Sequence, residues 1–365
     1  MKKISLIYLG IKGVGTILAF EMFRALSEYN SCSLVIISQW IDNLEEWDYF
    51  AKNRNVKLLK LDTYTSKNDY LKKTFNIGVF FKIRNELKTI SPDCIYSPMS
   101  DLWQNLIFSL FIPKGIIRVR TIHDLVRHKG EDSLLLRVNH KFSFFFCEKI
   151  VVLSRKFVSD LNKKGIDSNN IIVIPHPNLN YYVSNSFQCH NTFHNRIMFF
   201  GRIVKYKGLD ILLSALKIVV KTIPSLKIVI AGAGDTSPYT SLFNELRDNL
   251  ELKLYEIPND EIASLFGHVD YLVLPYIEAS QSGVIPLAYS FGKPVIASDV
   301  GAISEQVTLD TGILVEPGNV EHLASAIIAL TMDRQRILSM SVCAKKFSQK
   351  EMKWEAAALK LLKSI

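Results

Sequence analysis

Short runs of apolar, β-branched residues recur along the chain, each followed by a stretch whose apolar positions return every three to four residues. Ile4 to Leu9, Leu34 to Ser38, Val56 to Leu61, Cys94 to Ser97, Ile117 to Ile122, Ile150 to Leu153 and Ile171 to Ile174 form a first series. Arg196 to Phe200, Lys227 to Ala231, Leu252 to Glu256, Tyr271 to Leu274, Pro294 to Ala297 and Gly312 to Val315 form a second. Runs without polar alternation predict strands covered on both faces, and their alternation with helical stretches predicts βαβ units. The fold class is therefore α/β, with two doubly wound, Rossmann-like parallel-sheet domains.

Between the two series lie Pro175-His176-Pro177-Asn178-Leu179-Asn180 and the polar stretch Ser184 to Asn195, which carry no apolar period and read as a linker. The expected domains are 1–185 and 186–345, followed by a helical tail over 346–365 that is free to cross back to the first domain. Trp354, Ala356, Leu359 and Leu362 recur in that tail at helical spacing. Ligand sites of such sheets lie at the carboxyl ends of the strands, so two sheets facing each other across a cleft would place the chemistry there.

Composition narrows the class. With 365 residues, 48% of them hydrophobic and 22% charged, the chain is globular and longer than one core usually organises. Its five cysteines are odd in number, scattered and form no Cys-x-x-Cys pair, so they signal neither a disulfide framework nor a zinc site and fit a reducing cytoplasm. The start Met1-Lys2-Lys3 is basic, but Ile4 to Leu9 is too short for a signal h-region. No run reaches the roughly 18 apolar residues of a spanning helix. The expectation is a cytoplasmic protein, either free or peripheral on the inner face of the plasma membrane, with no nucleic-acid partner.

Net charge is +9, and its surplus is confined to one half: residues 1–185 hold 26 Lys and Arg against 17 Asp and Glu, and the remainder balances at 18 each. An anionic partner for the first domain follows, either a membrane surface or a phosphate-bearing substrate. A basic solvated face is the alternative.

Four segments carry candidate chemistry. Gly10-Ile-Lys-Gly13-Val-Gly15-Thr16 follows the first strand and opens a helix, where glycines admit a ligand close to the backbone or simply make a tight turn. Its G-x-x-G-x-G spacing departs from the dinucleotide fingerprint, and the second strand ends at Gln39 and Trp40 without the ribose-binding acid, which disfavours a nicotinamide dehydrogenase. Thr121-Ile-His123-Asp124 puts an imidazole at a strand end, suited to acid-base work or to a bond with a loop carbonyl. His176, between two prolines, suits either a site lining or a structural turn.

Phe200-Gly201-Arg202, with Lys207-Gly208 opening the next helix, presents two cations where a strand meets a helix. Arg202 offers a planar fork to phosphate oxygens and Lys207 a movable charge, a pair able to neutralise a leaving diphosphate without a metal. The fourth segment, Leu274-Pro275 through Glu278 to Ser282-Gly283-Val284, joins a carboxylate to a small-residue helix start. Amides there can meet phosphate while Glu278 accepts from sugar hydroxyls. A solvated loop carboxylate is the alternative for Glu278.

Taken with Ala-Gly-Ala-Gly-Asp at 231–235, Gly-Lys-Pro-Val-Ile-Ala-Ser at 292–298, Val-Gly-x3-Glu at 300–305 and Thr-Gly-x-Leu-Val at 311–315, these segments resemble the family 4 retaining glycosyltransferases of the two-domain GT-B fold. The resemblance implies that Arg202 and Lys207 bind the donor diphosphate and that Glu278 binds the transferred sugar. It implies that Gly201, Ser282, Gly283 and Val284 line the donor site, that Ile257 and Asn259 border the base, and that Gly13 and Gly15 lie beside the diphosphate. His123 matches the family's histidine near the reacting sugar.

The chain departs from the family at one place. Pro286, or Leu287 counted back from Gly292-Lys-Pro, stands where the family has a second glutamate for the ribose. Neither side chain accepts a hydrogen bond, which leaves Glu305 or a main-chain group to do so. The resemblance implies a metal-independent hexosyltransferase with no cofactor, moving sugar from a nucleotide-diphosphate-sugar to a glycan or polyprenyl-diphosphate-linked acceptor in bacterial surface polysaccharide assembly. A non-catalytic nucleotide-sugar-binding subunit is the rival reading.

Overall fold

The computed structural model describes residues 2–99, 103–125, 142–183 and 193–365. Most of the polar stretch expected to be a linker, residues 184–192, lies outside them.

Both expected sheets are present. The first contains β1 (Ile4–Tyr8), β2 (Cys32–Ser38), β3 (Lys57–Leu61), β4 (Cys94–Ser97), β5 (Ile117–Ile122), β6 (Lys149–Val152) and β7 (Ile171–Val173), in the order β3-β2-β1-β4-β5-β6-β7. The second contains β8 (Arg196–Phe200), β9 (Lys227–Ala231), β10 (Leu250–Lys253), β11 (Tyr271–Leu274), β12 (Val295–Ser298) and β13 (Gly312–Val315), in the order β10-β9-β8-β11-β12-β13. Every pairing is parallel. β10 begins at Leu250 rather than at Leu252. It is an edge strand whose ladder starts at Leu250 beside Ile228, and Leu252 and Leu254 are exposed, so apolar character marks its register poorly.

The strand orders explain where ligands are to be sought. Each sheet reverses its winding direction next to its first strand, between β1 and β4 in one and between β8 and β11 in the other. The connections leaving those paired strands run in opposite directions and open a crevice at the carboxyl ends. The second-sheet crevice is thus bordered by the loops after Phe200 and after Leu274, which are the two segments with candidate donor chemistry.

Packing is that of buried parallel sheets. In the second unit, Ile197, Phe199, Ile228, Ile230 and Val273 meet Leu212, Leu213 and Leu216 of helix Leu209–Thr222 and Ile327 and Leu330 of helix Val320–Met332, all fully buried. In the first, Ile7, Leu34, Ile36 and Ile95 meet Phe80, Ile83 and Leu87 of helix Gly78–Ile90. Among the described residues no helix is long and apolar enough to cross a membrane.

The compact units are Met1–Pro175 with Trp354–Ile365, and His176–Lys353. The division therefore precedes residue 185, because the Asn178 amide donates to the Met352 carbonyl (2.8 Å) and the Leu179 amide to Ser290 Oγ (2.9 Å), tying this stretch to the second unit. The tail is two helices. Arg334–Lys350 stays with the second unit, where Ser341 Oγ donates to the Gly292 carbonyl. Trp354–Ser364 packs on helix Val14–Glu28 of the first, where the Tyr29 hydroxyl donates to the Glu355 carbonyl.

Candidate functional site

The cationic turn leaves β8 at Gly201 and re-enters helix at Leu209 through a single 3-10 turn, Lys205–Lys207. It is held on two sides. Gly201 and Ile203 donate to the carbonyls of Ala231 and Ala233 (2.9 and 2.7 Å), which gives the Ala-Gly-Ala-Gly-Asp loop its structural task. Ile277 donates to the Tyr206 carbonyl at 2.8 Å, binding the turn to the loop after β11. Gly208, at φ 67°, sits where an added Cβ would stand 1.9 Å from the Pro275 carbonyl oxygen.

That anchoring sets the charges. A Cβ on Gly201 would lie 2.7 Å from Lys207 Nζ and 3.9 Å from Val284 Cγ2, so Gly201, Lys207 and Val284 meet at the carboxyl end of β8. Lys207 Nζ stands 5.3 Å from the centre of the Tyr276 ring, a cation–π contact that orients a half-buried ammonium without neutralising it. Arg202 is exposed on the same turn, its guanidinium 3.5 Å from the Tyr206 hydroxyl. Two cations thus flank one strand end, with glycine where a side chain would block approach.

The loop after β11 is clamped by a residue that the sequence reading did not single out. Gln306, at the end of the short helix Ile303–Gln306, accepts from the Ser282 amide and donates to the Ser282 carbonyl, both at 2.9 Å. Ser282 Oγ in turn accepts from the Val284 amide (3.2 Å). The amides of Ser282 and Val284 are therefore engaged within the protein, and Gly283 stands between them. Neither Pro286 nor Leu287 changes the ribose question, since both are buried in helix Val284–Ser290.

Glu278 is exposed on this loop, and its amide reaches the Tyr206 carbonyl at 3.4 Å. Glu305 is exposed on the neighbouring helix, one residue before Gln306. The Ala302 amide donates to the Ser280 carbonyl (3.0 Å), so the Glu305 helix is docked on the Glu278 loop. Half-buried Ile257 and exposed Asn259 lie after edge strand β10, two strands removed from β8, with Asn259 opening helix Asn259–Gly267. Arg202, Lys207, Glu278, Gly283, Val284 and Glu305 are brought together at one end of the sheet, whereas Ile257 and Asn259 follow the edge strand at that same end, two strands away.

His176 belongs to this unit. Its Nδ1 donates to the Pro177 carbonyl (2.8 Å), the structural turn, while Nε2 lies 3.5 Å from where a Cβ on Gly283 would be. Its buried ring thus packs against the start of the donor-loop helix as well.

In the first unit the glycine turn resolves into separate tasks. Cβ atoms on Gly10 and Gly15 would come within 2.3 and 2.8 Å of the Tyr8 hydroxyl, so both make room for that ring. Gly13, whose carbonyl accepts from the Thr16 amide and hydroxyl, has open space where a Cβ would point. His123 Nε2 donates to the Pro98 carbonyl at 2.9 Å, which fixes the proton on Nε2 and leaves Nδ1 as an acceptor. Burial holds this imidazole below its ordinary value, opposed in part by the Pro98 bond and by Asp124.

Below about pH 6.5 the unfolded histidine takes up a proton that the folded one resists, so its stabilising contribution is lost as pH falls through that value. Thermal midpoints of His123→Gln should be less pH-dependent than wild type just below about pH 6.5, whereas parallel curves would contradict a neutral His123 in the folded protein.

Residues 194–333 match the family model described as Glycosyl transferases group 1. The chain is 31% identical over 174 residues to the D-inositol 3-phosphate glycosyltransferase of Corynebacterium aurimucosum, a match covering 45% of this chain and 41% of that protein. It is 27% identical over 240 residues to the Staphylococcus aureus capsular polysaccharide biosynthesis glycosyltransferase CapM, covering 61% and 63%. The chain thus spans between two fifths and two thirds of these relatives' length. Anabaena Alr3699/HepE, solved with UDP-glucose, superimposes over 100% of both chains with a TM-score of 0.70 at 17% identity, a likeness of fold alone. That fold is GT-B.

Proposed function

We propose that the protein moves a sugar from a nucleotide-diphosphate-sugar to a hydroxyl of a glycan or lipid-linked glycan, a reading supported by the match of residues 194–333 to the family model described as Glycosyl transferases group 1. The observation that carries this reading is the meeting of the Lys207 ammonium, Gly201 and Val284 at the sheet's reversal point, with Arg202 on the same turn. Such a pair can stabilise the negative charge that grows on a departing diphosphate, with no metal required. Glu278 accepts from hydroxyls of the transferred sugar. The Glu305 carboxylate, docked one loop away, takes the ribose in place of the glutamate replaced by Pro286 or Leu287.

Transfer proceeds with retention. The departing phosphate helps deprotonate the acceptor hydroxyl on the face it leaves, so no enzymic nucleophile is used. The acceptor is recognised by the first unit, whose charge surplus suits a diphosphate-linked glycan carried at an anionic membrane surface. The likeness to the capsular polysaccharide biosynthesis glycosyltransferase CapM supports surface polysaccharide as the product class.

The test is a panel of nucleotide-sugars, with UDP-glucose among the first, scored for nucleoside diphosphate release in the presence of glycan acceptors. Turnover with one donor is the expected result. Binding of a donor without release from any of them would favour the non-catalytic subunit instead, for which the missing second glutamate is the supporting feature.

A further inference from the structure

We propose that the first unit carries a subsite for a saccharide of the acceptor, in which the indole of Trp40 is the stacking platform, with a further pocket on the loops tied to its own. The inference deepens the glycosyltransfer reading and rests on it for the identification of the ligand as an acceptor.

Three loops at the carboxyl edge of the first sheet build the site. Trp40 follows β2, Asp62 to Ser66 follow β3, and Gly10 and Ile11 follow β1. They are tied together: the Asp42 amide donates to the Ile11 carbonyl (3.0 Å), the Gln39 amide to the Leu61 carbonyl (2.8 Å), and Ser38 Oγ pairs with Thr63 Oγ1 (2.6 Å). The loops after β1 and β3 also enclose a pocket of about 240 Å³ lined by Leu9, Gly10, Ile11, Tyr64, Thr65, Ser66 and Tyr70, with Trp40 outside its lining on the loop between them. That volume falls below the roughly 300–1,000 Å³ of drug-sized sites and suits a single ring.

Trp40 is not a stray surface aromatic. Its Nε1 donates to Asp62 Oδ1 at 2.8 Å, Lys73 Nζ stands 5.7 Å from the ring centre, and Lys73 also donates to Asp62 Oδ1 (2.6 Å) and the Thr63 carbonyl (3.0 Å). The orientation of the indole is thereby set before any ligand arrives, yet 48% of the residue remains exposed. A rigid ring with one edge pinned and surface left open is matched to the C–H face of a sugar. Gln39 donates to the same Asp62 oxygen (3.1 Å), which leaves Oδ2 to accept from a sugar hydroxyl. An acyl chain would leave this charged frame unsatisfied against it, which is why a saccharide is the occupant.

The other tryptophans make the test selective. Trp47 and Trp103 are fully buried and Trp354 is 8% exposed, so acrylamide quenching of the intact protein reads Trp40. Methyl glycosides of glucose, galactose, mannose and N-acetylglucosamine, at millimolar concentrations, should give saturable protection with at least one of them. Equilibrium dialysis of that glycoside should show about tenfold weaker binding to Trp40→Ala, the cost of removing an anchoring ring. Trp40→Phe should restore part of the affinity, and all variants should keep the wild-type thermal midpoint.

Absence of protection by every glycoside, protection by UDP alone, or undiminished binding to Trp40→Ala would overturn the proposal. None of these readouts requires sugar transfer. If no donor is turned over while a glycoside still protects Trp40, the transfer reading fails and the subsite stands; turnover without protection has the opposite meaning.

Discussion

Arg202→Ala and Lys207→Ala are each expected to lower the turnover of nucleoside diphosphate release by about a hundredfold. The size follows from what the charges do: they meet a diphosphate whose negative charge increases as the sugar leaves, so their interaction is stronger in the transition state than with the bound donor. Turnover should therefore fall more than donor affinity does. Lys207 is the more informative of the pair, because its ammonium is already placed, 2.7 Å from the Cβ position of Gly201 and over the Tyr276 ring. Lys207→Arg should restore little, since the longer planar group does not fit where Gly201, Val284 and Tyr276 converge. Arg202 is exposed and Lys207 half-buried, so both alanine variants should keep a thermal midpoint close to wild type. Wild-type turnover in both would remove the mechanism.

Much of this site is legible in the sequence because strand ends and glycines mark it. β8 is apolar after Arg196 and β11 throughout, and the turns after them begin with Gly201 and Pro275, so the residues that follow fall at the ligand edge of a parallel sheet. What the pattern does not contain is the pairing between loops. Gln306 is one polar residue in a short helix, and only the fold shows that both ends of its amide are spent on Ser282. The role of Gly15 is hidden for a similar reason. Its spacing invites a phosphate-loop reading, but its missing Cβ is needed by the Tyr8 hydroxyl from the strand before it.

The divisions of the chain are hidden for the same reason. Pro175 to Asn180 looks like a linker because it has no apolar period, yet Asn178 and Leu179 are tied by hydrogen bonds to Met352 and Ser290, distant in sequence. Trp354–Ser364 has an ordinary amphipathic pattern, and nothing in it names the helix Val14–Glu28 that it covers. Periodicity reports which face is buried. It does not report what lies on the other side.

The other large effect is expected at Gly208. Its φ of 67° already disfavours any side chain, and an added Cβ would fall 1.9 Å from the Pro275 carbonyl oxygen and 3.0 Å from its carbonyl carbon. Those atoms are backbone at the end of a central strand and cannot rotate aside. Left-handed backbone costs an alanine about 1–2 kcal/mol, and forcing a methyl into a packed contact about 1–3 kcal/mol more, so Gly208→Ala should destabilise the second unit by about 2–5 kcal/mol. Gly318 separates the two contributions. It has a similar φ of 74° but no atom within 4 Å of its Cβ position, so Gly318→Ala should cost only the backbone part, about 1–2 kcal/mol. Calorimetry of the two variants should show the transition of the second unit displaced clearly further by Gly208→Ala. Relief of that clash can come only from moving the cationic turn away from Pro275, which also moves Lys207 from its place over Gly201, so donor affinity should fall together with stability. Equal midpoints for the two variants would mean that the turn and the β11 loop are not in the close contact on which the donor site is built.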